Sequence, residues 1–192
     1  MVSKKCDNLF WDSCVFIAFL NNESSAYDIN SIEQYLSEAR SGLCRIYSST
    51  VALAEVRPSF LVRKSIGSFS EFVDDLGGAV VLIDPNPNLM DLSGRLRDLS
   101  YQKSNSKKRT LATPDAIMLA TAVHLEDDLS VELTHFHTFD KGRKRGDEGK
   151  SVPLLTYEEW CEGLENDELA QRVIALPRCA PIHPTPVFSM GH

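Results

Sequence analysis

An α/β domain with a mainly parallel central sheet is the predicted fold, on two observations. Short apolar runs with strand character recur along the chain, and segments of helical periodicity separate them. The runs are residues 8–11, 45–48, 79–83, 135–139 and 153–155. The first closes on Asp12, and residues 31–40 read as a helix leading into the second. A helix beginning near Ser49 or Thr50, either able to cap it, carries Glu55 about two turns in. Residues 60–76 form a further predicted helix, ended by Gly77-Gly78, which also launch the third run. Asp84-Pro85-Asn86-Pro87 stops that run. Leu89, Leu92, Leu96 and Leu99 then recur at helical spacing, as do Ala116, Ala120 and Val123. Thr113 as N-cap and Pro114 at the first helical position mark where the second of these helices starts. Ser104-Asn105-Ser106 and residues 142–149 read as exposed loops. Residues 169–176 predict a last helix, and Pro177, Pro181, Pro184 and Pro186 an extended stretch over the surface. The chain therefore divides into a main domain, 1–165, and a C-terminal helix with a Pro-rich tail, 166–192. No internal repeat or low-complexity segment is present.

Composition narrows the function classes. With 192 residues, 43% hydrophobic and 24% charged, the chain can bury one core and carry an appendage. Its longest apolar run, Cys14 to Leu20, is far below the roughly 20 residues a membrane helix needs. The Met1-Val2-Ser3-Lys4-Lys5 start is interrupted by Asp12 and followed by no small-residue cleavage site, so no secretion signal is expected. Five widely spaced cysteines without a C-x-x-C pair suggest neither a disulfide framework nor a zinc site, and a cytoplasmic location is expected. A net charge of −7 argues against a general nucleic-acid coat. The cations are clustered, however: Lys103, Lys107, Lys108 and Arg109 precede Asp115, and Lys141, Arg143, Lys144, Arg145 and Lys150 follow Asp140.

Four acids carry the chemistry. Asp12, Glu55, Asp115 and Asp140 each stand at or just past the end of an apolar segment. In an open parallel sheet, ligands bind outside the carboxyl ends of the strands. If the first and fourth strands are neighbours across a topological switch point, Asp12 and Asp140 overhang one crevice. Asp115 falls in a first helical turn, where backbone amides and the helix dipole favour a carboxylate. Two carboxylates about 4 Å apart repel by roughly 4 kcal/mol at an effective dielectric near 20, so four together require protons or a cation. Oxygen-only ligation points to magnesium, with manganese as a substitute, rather than zinc or copper.

The segments around these acids resemble the ordered acidic motifs of PIN domains, including the VapC-like toxins of bacterial toxin–antitoxin pairs. They are Trp11-Asp12-Ser13-Cys14-Val15-Phe16-Ile17, Ser48-Ser49-Thr50-Val51-Ala52-Leu53-Ala54-Glu55-Val56, Thr113-Pro114-Asp115-Ala116-Ile117 with its continuation to Ala122, and Thr138-Phe139-Asp140-Lys141. The resemblance runs from Asn8 to Leu164, and Thr-Pro-Asp-Ala-Ile is its most specific part. It implies a three-layer α/β/α sandwich, a Mg²⁺-dependent endoribonuclease, frequent homodimers and, for toxins, a small antitoxin partner. Position by position, Asp12, Glu55, Asp115 and Asp140 become the catalytic and metal-binding quartet, with Ser13 supporting the first acid. By their charge rather than by that correspondence, Lys141, Arg143, Lys144 and Arg145 are expected to be RNA-binding, meeting backbone phosphates without reading sequence. Family members often carry another acid or an aromatic soon after the fourth carboxylate, where this chain has Lys141-Gly142-Arg143-Lys144-Arg145. Residues beyond about Asn166 have no counterpart in a minimal PIN domain.

Other residues are read structurally. His135 and His137 share one strand face without a third ligand nearby, which favours a strand-surface role over a metal site. Asp84 precedes Pro85 and suits a turn. Trp11, Phe16, Phe19 and Trp160 are core aromatics. Two other classes stay open: a catalytically silent PIN-like RNA-binding or scaffold protein, and an Asp-based phosphoacceptor or phosphatase. The second normally wants an acid two residues after its nucleophile, where this chain has Cys14.

Overall fold

The computed structural model describes residues 7–61, 66–142 and 151–184. Its five strands are β1 (Asp7–Trp11), β2 (Cys44–Ser49), β3 (Val80–Ile83), β4 (His135–His137) and β5 (Arg178–Cys179). They form one sheet in the order β3-β2-β1-β4-β5, and every pairing is parallel. The helices among the described residues are α1 (Ser13–Leu20), α2 (Ile29–Arg40), α3 (Ala52–Glu55), α4 (Phe69–Asp75), α5 (Pro87–Asp98), α6 (Thr113–Asp127) and α7 (Glu168–Ala175). No described helix is long and apolar enough to cross a membrane.

The strand order reverses direction at β1. From β1 the chain steps outward through β2 to β3, then returns to lay β4 on the opposite side of β1, pairing Leu9 with His135 and Trp11 with His137. Right-handed crossovers then put α1, α2 and α4 on one face of the sheet and α5, α6 and α7 on the other, completing a three-layer α/β/α sandwich. On the first face, Phe16 of α1 meets Phe69 of α4 edge to face, with centroids 5.0 Å apart. Tyr35 of α2 lies 4.9 Å from the His137 ring. On the second face, Phe10 and Phe136 stack across β1 and β4. Helix α6 is enclosed on all sides, every residue from 116 to 123 being buried. This explains why its sequence is apolar all round rather than on one stripe.

Four of the predicted strands coincide with β1 to β4, and the fifth does not. Residues 153–155 form no strand; the outer position beside β4 is taken by Arg178 and Cys179. The predicted 169–176 helix is α7, so the segment past Asn166 contributes a helix and a strand to the sandwich. Helix 60–76 is divided: Pro58–Phe60 is a single 3-10 turn, residues 62–65 lie outside the described residues, and α4 begins after its cap Ser68. Gly77 and Gly78 take left-handed φ of 59° and 84° between α4 and β3, as expected of glycine there. Trp11, Phe16, Phe19 and Trp160 are all buried. His137 is buried as well rather than on a strand surface, and burial holds its imidazole down at about 3, neutral at ordinary pH. Asp84 is exposed at the end of β3.

Candidate active site

The four acids reach the site from four separate segments. Asp12 follows β1 directly and is the N-cap residue of α1, its backbone N–H donating to the His137 carbonyl at 3.0 Å. Asp140 lies just past β4. Glu55 closes α3, which is only one turn long. Val51 is its N-cap, without a side-chain bond, and Pro58 forces Arg57 into an extended conformation that halts the helix early. The expected two-turn lead from Ser49 or Thr50 is therefore absent. Asp115 stands in the first turn of α6 as expected, although Ala112, not Thr113, is the N-cap, one residue upstream.

Three side chains to which the sequence assigned no role, Thr138, Cys14 and Ser151, tie these acids together, and Ser13, expected to support the first acid, bonds the second instead. Thr138 Oγ1 donates to Asp12 Oδ2 at 2.8 Å and accepts the Asp140 backbone N–H at 3.0 Å, so one buried hydroxyl spans the two strand ends. The Cys14 thiol donates to the same Asp12 oxygen at 2.9 Å and accepts from the Phe139 N–H at 3.1 Å. Burial, followed by the Asp12 charge, pushes that thiol well above its usual range, so it serves as a neutral donor. Ser13 Oγ donates to Glu55 Oε2 at 2.7 Å, linking the residue after the first acid to the second. Ser151 Oγ reaches Asp115 Oδ2 at 3.3 Å.

Asp140 differs from the others. Its Oδ1 accepts the Gly142 N–H at 2.9 Å and its Oδ2 the Leu154 N–H at 3.0 Å, so the carboxylate joins the segment at Gly142 to the one at Leu154. Gly142 suits this place because its φ is 75° and a Cβ there would meet Pro153 Cγ at 2.9 Å. Lys141 is exposed beside it. Arg143, Lys144 and Arg145 lie outside the described residues.

The carboxyl groups sense one another. Burial pushes Asp115 up to about 8, and the charges of Asp12, Asp140 and Glu55 add to that shift, in that order. Asp12 is raised mainly by burial, against its bonds from Cys14 and Thr138, with Asp140 adding a smaller push upward. Glu55 is raised by burial first, with the Asp12 charge adding and the Ser13 bond opposing. Among the described residues, no group of three or more His, Cys, Asp and Glu is spaced to hold a metal ion directly. Magnesium does not require that, since it retains several waters and engages one or two carboxylates. The donor set is all oxygen and anionic, and a hydrated hard cation offsets the charges that destabilise it, so these residues fit such an ion.

Thr138→Val tests the link between the strand ends. It leaves the half-buried Asp140 N–H without its acceptor and removes one donor from Asp12. We expect a loss of about 2 kcal/mol in urea unfolding, with Thr138→Ser retaining most of the stability.

Comparison with protein-family models and with curated proteins finds no match for this chain.

Proposed function

We propose that the chain is a Mg²⁺-dependent endoribonuclease of the PIN type, hydrolysing RNA phosphodiester bonds at the carboxylate cluster. The observation that carries this reading is the meeting of acids from four segments at the carboxyl edge of a parallel sheet, beside its switch point, where such folds bind ligands. Hydrogen bonds from Thr138, Cys14 and Ser13 hold these acids in place. A divalent cation there supplies charge neutralisation at the phosphate and a water of lowered pKa. Asp12, Glu55 and Asp115 are the acids that would hold it, one or two of them directly and the rest through its waters. Thr138 and Cys14 orient Asp12, Ser13 orients Glu55, and Lys141 meets a backbone phosphate as part of the basic run it opens. The same resemblance supports a cytoplasmic toxin with a small antitoxin and a homodimeric state.

Purified protein incubated with structured and single-stranded RNAs in Mg²⁺ or Mn²⁺ tests the reading. Wild type should cleave, and Asp12→Asn and Asp115→Asn should each lose at least a hundredfold in rate, on the scale seen when one electrostatic stabiliser is removed. Equal activity in all three defeats the assignment. A catalytically silent RNA-binding protein is the second reading, and one observation favours it: both Asp140 oxygens already serve backbone amides. Calorimetry with Mn²⁺ separates the two, since the silent protein binds the ion only weakly.

A further inference from the structure

We propose that Tyr27, stacked on Phe139, is a nucleobase-binding platform at the mouth of the carboxylate cluster, taking an unpaired base next to the cleaved phosphodiester. The inference rests on the nuclease reading for its substrate class and adds a subsite to it. Tyr27 precedes α2 and Phe139 precedes Asp140, so the pair joins the first helical layer to the end of the β4 segment. The rings lie 3.9 Å apart between centroids at 25°, a parallel stack rather than the edge-to-face packing of Phe16 on Phe69. Both are half-buried, and part of the aromatic surface meets solvent.

Position argues for a ligand. The Phe139 backbone N–H donates to the Cys14 sulfur, which in turn donates to Asp12, so the backbone that carries one ring of the pair is tied to the acid network. Burial first, then Glu23, Cys14 and Asp140, raise the Tyr27 phenol above its usual range, consistent with its place beside the Asp140 end of the cluster. Phe139 is followed directly by Asp140 and the exposed Lys141, so the aromatic pair lies next in sequence to an acid of the cluster and two residues from a cation able to meet a phosphate. Every base has a π-face, so such a platform holds an unpaired base without selecting its identity, and a base kept in a duplex stack is denied to it.

The probe is a fluorescein-labelled single-stranded RNA of about ten nucleotides, its duplex, and single-stranded versions with one abasic position, measured by anisotropy in Ca²⁺. Wild type should bind the single strand, Tyr27→Leu about tenfold more weakly, and Tyr27→Phe, which keeps the ring, should recover most of the loss. At one position an abasic site should cost wild type a similar factor and cost Tyr27→Leu nothing further, and the duplex should bind both proteins alike. The idea is overturned if Tyr27→Leu binds the single strand within about twofold of wild type, or loses equally on strand and duplex, or if no abasic position weakens wild type. The abasic series uses unmodified protein and can overturn the platform even if Tyr27→Leu fails to fold, and Tyr27→Ala then takes its place in the comparison. Cleavage of the same strand in Mg²⁺ is followed separately. Tyr27-dependent binding without cleavage keeps the platform and removes the nuclease reading, whereas cleavage indifferent to Tyr27 does the reverse.

Discussion

Asp115→Asn is expected to abolish metal-dependent cleavage and, in metal-free buffer at pH 8, to make the protein more stable by about 3 kcal/mol. The two signs follow from one cause. The Asp115 carboxyl is pushed up to about 8 by burial and then by Asp12, Asp140 and Glu55. In the unfolded chain it titrates near the ordinary aspartate value of about 4. Between pH 4 and pH 8 the folded state therefore binds more protons than the unfolded state, and stability falls as pH rises through that window. Asp12 and Glu55, raised in the same direction, steepen the fall. An amide at position 115 does not titrate and repels none of its neighbours, and among the described residues only the 3.3 Å bond from Ser151 is weakened in exchange. Urea unfolding in EDTA from pH 4 to pH 8 reads the slope, and a flat wild-type curve would show that the carboxylates do not act as a cluster. Added Mg²⁺ should reverse the ranking, stabilising wild type and leaving Asp115→Asn unchanged, because only the intact set gains by binding a cation.

Strands β1 to β4 were readable because each carries apolar residues that the core buries. Residues 8–11 and 45–48 bury Leu9, Phe10, Trp11, Ile46 and Tyr47, and β1 and β2 form the centre with β4. Of the two edge strands β3 was readable and β5 was not, because Arg178 and Cys179 make a ladder only two residues long beside Pro177. A segment so short has no periodicity; it becomes a strand because β4 offers the Phe136 and Thr138 N–H groups to the Pro177 and Cys179 carbonyls. Residues 153–155 misled for the opposite reason. Val152 and Leu154 are apolar because they are buried, yet the segment is fixed by single contacts, Val152 N–H to the Thr110 carbonyl and Leu154 N–H to Asp140.

The acids themselves were legible one by one, since a carboxylate at the end of an apolar run is conspicuous. What joins them was much less so. Thr138 carried a faint signal, a hydroxyl in a strand-like run two residues before an acid, which is the reach at which Ser and Thr side chains meet nearby backbone groups. Ser151 carried none, because it follows a long basic segment and meets Asp115 only through the fold. Cys14 looked like an obstacle to one phosphatase reading and turns out to be a donor to Asp12.

Ending the chain at residue 165, as a minimal domain would, is expected to abolish cooperative folding. Leu169, Val173 and Leu176 are buried against the sandwich, and at about 1.5–3 kcal/mol each their removal approaches the 5–15 kcal/mol that keeps a whole domain folded. Polar losses come on top. The Arg178 guanidinium donates to the Val173 carbonyl and to Glu158 at 2.8 Å, with its side chain only 4% exposed. Without β5, the Thr138 N–H loses the Cys179 carbonyl that it meets at 3.0 Å, and Thr138 is the residue that holds Asp12 to Asp140. The damage thus passes from a distant helix into the candidate site within one strand. Circular dichroism and urea melts of residues 1–165 against the full chain measure it. Within the full chain, Val173→Asp should cost at least 3 kcal/mol by burying an unpaired charge. A truncated protein melting as one cooperative unit near the full-length midpoint would instead make residues 166–192 a true appendage, and β4 an edge strand able to keep Thr138 in place unaided.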